Sequence, residues 1–130
     1  MNLHEELFVK SFIIAAKRER YLSLLSSVKG RKKLLNDLDH LRDLDENKII
    51  HISPAQQNPF DICGFLQAKG AGKNCYVIST NSALDTRELA LSEALEEIVG
   101  YGFGSYVSTI AGKLGYYEGE EPGDRYILEA

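Results

Sequence analysis

The chain has no tryptophan, one methionine, three prolines and two cysteines in 130 residues. Cys63 and Cys75 are too few for a disulfide framework, and they lack the CxxC pairing of a zinc site. A reducing compartment is the simplest expectation. Long apolar runs are missing too. The longest, Phe12-Ile13-Ile14-Ala15-Ala16, falls far short of the roughly 20 residues that span a bilayer, so no membrane role is expected. Glu5 and Glu6 sit where a secretory leader would carry cations, and the expected location is cytoplasmic.

Catalytic and phosphate motifs are equally scarce. No GxSxG elbow surrounds any serine, and His4, His40 and His51 are dispersed without an HxxxH pair or a carboxylate at ligand spacing. No metal and no cofactor are expected. The glycine-rich Lys69-Gly70-Ala71-Gly72-Lys73 lacks the phosphate-loop spacing, because Asn74 follows the lysine. It also leads from helix into strand, the reverse of a loop whose amides face an anion. Gly100, Gly102 and Gly104 share that direction and read as a helix stop and turn, with an anion nest as the lesser alternative.

What is present describes a globular chain. Hydrophobic residues make up 44% and charged residues 26%, at the usual length of one domain, 1–130. The net charge of −4 argues against dedicated DNA binding, whose affinity comes from phosphate neutralisation. Charge is unevenly spread: residues 1–50 hold 10 Lys and Arg against 8 Asp and Glu, and residues 51–130 hold 5 against 11. A basic helical end and an acidic remainder follow.

The periodicity divides the domain into a helical part, 1–45, and a mixed part, 46–130. Residues 3–28 read as one helix, with Leu3, Leu7, Ile14, Tyr21, Leu25 and Val28 along one arc. Ser26 or Ser27 caps a second helix over 28–43, carrying Leu34, Leu35, Leu38 and Leu41, and the two form a hairpin. KIIHIS reads as a short strand, and Asn58-Pro59 opens a helix that stops at Gly70. CYVIST, TRELAL, SYVSTI, KLGYYEG and RYILE read as strands, with SEALEEIVG a helix capped by Ser92. The expected class is α+β: an N-terminal helical hairpin, one or two further helices, and an antiparallel sheet of four to five strands covered on one side.

Three sets of residues carry functional expectations. Ser26, Ser27, Lys29, Arg31, Lys32 and Lys33 gather cations and a capping hydroxyl at a helix start, against the macrodipole, and suggest a phosphate-bearing ligand such as RNA or a nucleotide. Lys17, Arg18 and Arg20 would extend that patch. Tyr101, Tyr106, Tyr116, Tyr117 and Tyr126 suggest a contact face, since tyrosine joins a large apolar ring to a polar end. His51 alternates with Ile50 and Ile52 and is the single acid–base candidate. With no catalytic constellation, the leading expectation is a non-enzymatic interaction module, contacting a protein partner or a second copy through the tyrosine sheet or the greasy first helix. Anion binding is the alternative, and a small enzyme using His51 follows it.

Overall fold

The computed structural model describes residues 2–130. The first helix, α1, covers Leu3–Phe12, where the Asn2 side chain accepts from the His4 amide and Glu5 and Glu6 occupy the positive first turn. The expected single helix over 3–28 does not form. Ile13 turns extended and bridges to Leu44. The Ile14 amide donates to the Asp43 carbonyl at 2.9 Å, and the Asp45 amide donates to the Phe12 carbonyl at 2.7 Å. Residues 43–45 thus take the backbone groups that a continuing helix would use, and two β-branched residues favour the extended break.

After one 3-10 turn, α2 covers Arg18–Leu25 and α3 covers Val28–Leu38. Ser27 caps α3, accepting from the Gly30 amide at 3.0 Å. A Cβ at Gly30 would overlap the Leu24 carbonyl, so this glycine lets α2 and α3 approach closely. The apolar arc read along residues 3–28 is also corrected. Leu3 and Val28 are exposed, and the buried set is Phe8, Val9, Phe12, Ile13 and Tyr21.

The mixed part contains β1 (Ile49–His51), α4 (Pro59–Ala68), β2 (Asn74–Ser79), β3 (Glu88–Ala90), α5 (Leu91–Ile98), β4 (Ser105–Ile110), β5 (Leu114–Glu118) and β6 (Arg125–Glu129). Ser92 does not cap α5; it lies inside the first turn, after an Ala90 cap with no side-chain bond. The six strands form one antiparallel sheet in the order β1-β6-β5-β4-β2-β3. The fold is α+β, with one strand more than the upper expectation.

Both faces of the sheet are covered, not one. Tyr76, Ile78, Tyr106, Tyr117 and Leu128 pack against Phe8, Phe12, Leu34 and Leu38 of the N-terminal helices. Cys75, Val77, Val107, Tyr116 and Ile127 face Ile62 and Leu66 of α4 and Leu91, Leu95 and Ile98 of α5. The cause is visible in the strands. β2 and β5 are buried at nearly every position, so their side chains do not alternate between core and water. α1–α3 therefore lie on one side, α4 and α5 on the other, and β1 and β3 are the free edges.

Candidate functional site

The basic stretch sends its central residue inward. Arg31 bonds Glu5 of α1 through Nε to Oε1 and Nη2 to Oε2, each at 3.1 Å, and reaches Asp85 through Nη2 at 3.0 Å and through Nη1. Asp85 also accepts from the Ser79 amide at 3.0 Å, and the Tyr76 hydroxyl donates to Glu5. Burial opposes the guanidinium charge, and the bonds to Asp85 and Glu5 more than reverse that, raising its pKa. Arg31 thus ties α1, α3 and the loop before β3 together.

The other members of the set are divided. Ser26 donates its hydroxyl to the Ser23 carbonyl at 2.6 Å, and Ser27 is occupied as the α3 cap. Lys29, Lys32 and Lys33 are exposed and, like Lys17, form no ion pair among the described residues. Arg18 donates to the Ile13 carbonyl, and Arg20 lies 4.0 Å from Asp37. The outer face of α2 and α3 is basic, and on the opposite side of the molecule α5 exposes Glu93, Glu96 and Glu97.

The tyrosines do not form a contact face. Tyr106, Tyr116 and Tyr117 are in the core, because a sheet covered on both sides leaves no outer face for adjacent Tyr116 and Tyr117 to reach. Tyr117 donates to the Leu38 carbonyl at 2.6 Å, and Tyr126 is half-buried and stacked on Tyr117. Tyr101 alone is well exposed. It lies in the glycine-rich loop, whose amides do nest an anion, but one from this chain. Glu118, 0% exposed, accepts from the Gly100 amide at 3.0 Å, the Gly102 amide at 2.8 Å and the Tyr116 hydroxyl at 2.7 Å.

Burial raises the phenols of Tyr76, Tyr106, Tyr116 and Tyr117 above the usual 10. A raised folded pKa means that the stability held by these neutral phenols is complete below about pH 10 and is lost as pH climbs from there, by up to about 1.4 kcal/mol per pH unit for each phenol. In an alkaline titration, the buried tyrosines should ionise together with loss of near-ultraviolet circular dichroism. Gradual ionisation of all seven tyrosines in an intact fold would contradict this burial.

His51 lies on the open edge strand β1, with its ring edge-on to Tyr126 at 5.1 Å and no ion-pair partner among the described residues. Arg87 immediately precedes β3 at the opposite edge of the sheet, so the two do not meet. His51 lines the mouth of an apolar hollow of about 420 Å³ formed by Ile50, Ile52, Phe65, Ala68 and Ile127. Among the described residues, no cluster of three or more His, Cys, Asp or Glu side chains has the geometry to hold a metal ion. Burial pushes the Cys75 thiol up to about 11 and keeps it unreactive. No helix of the described residues is long and apolar enough to cross a membrane.

The most exposed large apolar side chain on α4 was not singled out by the sequence reading. Phe60 is 86% exposed on the first turn of this helix. With Asp61, Cys63, Gly64, Phe65 and Gln67 it lines a groove of about 280 Å³. Ile62 and Leu66 hold the helix to the sheet, leaving Phe60, Gly64 and Gln67 on the outer face at i, i+4 and i+7. That spacing, with Phe60 opposite the Ile62–Leu66 stripe, was the available signal. Asp61 accepts a hydrogen bond from the neutral Asn58 amide at 2.8 Å, and Lys69 is paired with Glu129 at 3.0 Å. No family model, curated protein or solved structure matches the chain.

Proposed function

We propose that the chain is a non-enzymatic protein-interaction module that meets its partner through the outer face of α4. The observation that supports this is the exposure of Phe60 beside an apolar groove. A lone surface aromatic is ordinary. Phe60 is not alone: Cys63 and Phe65 are only half-buried beside it, and the edge strand β1 exposes Ile50 next to the hollow on the other flank of Phe65. Aromatic anchors set in apolar surroundings dominate binding energy where proteins meet. The alternative is a phosphate-bearing ligand on Lys17, Lys29, Lys32 and Lys33, supported by these lysines having no ion-pair partner among the described residues.

One experiment separates the two readings. A photo-crosslinking aromatic amino acid replaces Phe60 in one variant and Lys32 in another, both produced in the native cells. The expected result is a discrete protein adduct from position 60 and none from position 32. Nucleic-acid adducts from position 32 with nothing from position 60 would overturn the interaction reading in favour of the alternative.

A further inference from the structure

A polar hollow of about 410 Å³ lies beside the edge strand β3, on the face of the sheet away from α4. Its floor follows from the strand register. Asn74 stands opposite Ala90 and Tyr76 opposite Glu88, so Asn74, Glu88 and Ala90 share the face on which Tyr76 packs against the N-terminal helices. Cys75 and Leu89, between them, alternate into the core under α4 and α5. His4 of α1 and Thr109 of β4 complete the lining.

Two of these side chains are set by bonds to the rest of the fold. His4 Nδ1 shares a hydrogen bond of 2.7 Å with Ser108 Oγ, which is buried, and its ring stacks on Tyr76 at 5.2 Å with 13° between the planes. The Tyr76 hydroxyl is in turn fixed by Glu5. A ring held at one nitrogen and one face presents its other nitrogen, Nε2, in a set direction. The Thr109 hydroxyl donates to the Leu114 carbonyl at 3.0 Å, so its oxygen can only accept from a ligand.

Glu88 brings a charge to this floor. It is exposed and has no ion-pair partner among the described residues. Lys73 and Arg87, one position before Asn74 and Glu88, continue the ladder and so alternate to the other face, where Arg87 donates to the Ala83 carbonyl at 3.3 Å. No lysine or arginine lines the hollow.

We propose that this hollow binds a small organic cation bearing N–H donors, a primary ammonium or a guanidinium. Glu88 pairs with its charge, while Asn74 Oδ1, Thr109 Oγ1 and His4 Nε2 accept its remaining donors. Size selects an organic ligand over a metal ion. The hollow falls within the range of small-molecule sites, about 300–1,000 Å³, whereas an ion needs several ligand atoms within about 2.0–2.6 Å, and one imidazole and one carboxylate are too few. The site does not depend on the α4 face, so either reading stands without the other.

Nuclear magnetic resonance of the whole chain, titrated separately with butylamine, butylguanidinium, butyrate and zinc ions, tests this. At about 10 mM probe, even a ligand with a Kd of about 1 mM fills nine-tenths of its sites. The expected result is a saturable shift at His4, Asn74, Glu88 and Ala90 with a cationic probe and none with butyrate. Glu88→Gln should weaken binding about tenfold, as loss of a charged hydrogen-bond partner does. Glu93→Gln, on α5 across the sheet, should leave it unchanged. Both side chains are exposed, so both variants should keep the wild-type urea midpoint, which separates lost binding from lost fold. Organic cations that shift nothing overturn the proposal, as do butyrate shifts equal to theirs or a Glu88→Gln chain that binds as tightly as wild type. Zinc ions shifting these residues where neither organic cation does would overturn it in favour of a metal site.

Discussion

Replacing Arg31 with alanine is expected to remove about 3–5 kcal/mol of folding stability, because Glu5 and Asp85 would remain largely buried with their countercharge gone. Set against a usual total of about 5–15 kcal/mol, that is a third or more of what holds such a domain folded. The Arg31 side chain is 20% exposed, Glu5 7% and Asp85 13%, so water could not replace the lost partner fully. Arg31→Lys should recover only part, since an ammonium cannot make paired bonds to two carboxylates at once. Lys32→Ala and Lys33→Ala, on the exposed side of the same helix, should stay within about 0.5 kcal/mol of wild type. Urea unfolding of the four variants reads this directly. Equal small losses at Arg31 and Lys32 would show that Arg31 belongs to the solvated face after all.

The second large effect is expected at Glu118. Its carboxylate holds the amides of Gly100 and Gly102 and the Tyr116 hydroxyl, and Arg125 Nε lies 3.6 Å away. Glu118→Ala would orphan all three donors in a buried site and leave Arg125 without its carboxylate, at a cost of about 3–5 kcal/mol. Glu118→Gln keeps the shape but turns half of the acceptor group into a donor facing amides that also donate, so it should still lose about 2 kcal/mol. The two losses should appear as lower urea midpoints with an unchanged slope. Amide hydrogen exchange at Gly100 and Gly102 should accelerate in both variants. If exchange there stays at wild-type rates, the loop is held by something other than this carboxylate.

Much of the fold was legible because apolar spacing and turn residues agree. Asn58-Pro59 opens α4 as its spacing suggests, and Gly70 and Gly112, both at positive φ, turn the chain where the sequence punctuates it. The break at Ile13 was hidden because its cause is distant: residues 43–45 claim the backbone of residues 12–14 only after the chain has folded back. Local periodicity carries no record of such a bond.

The site was less legible for a related reason. In sequence, Arg31 looks like Lys32 and Lys33, and only the partners 26 and 54 residues away separate a buried tether from a wet cation. The cluster of tyrosines near the C-terminus looks amphipathic until both faces of the sheet are seen to be covered. In sequence, Glu118 looks like Glu120, Glu121 and Asp124, one more acid around a turn, yet its side chain points inward as the last residue of β5. Phe60 was visible only as one more apolar letter near the start of α4, and its exposure follows from Ile62 and Leu66 turning the other side of the helix to the sheet.

The most direct test of the account is the photo-crosslink from position 60. It should yield a discrete protein adduct in the native cells, while position 32 yields none. No adduct from position 60 under conditions where the probe demonstrably reacts with added bait would contradict the assignment of α4 as the contact surface.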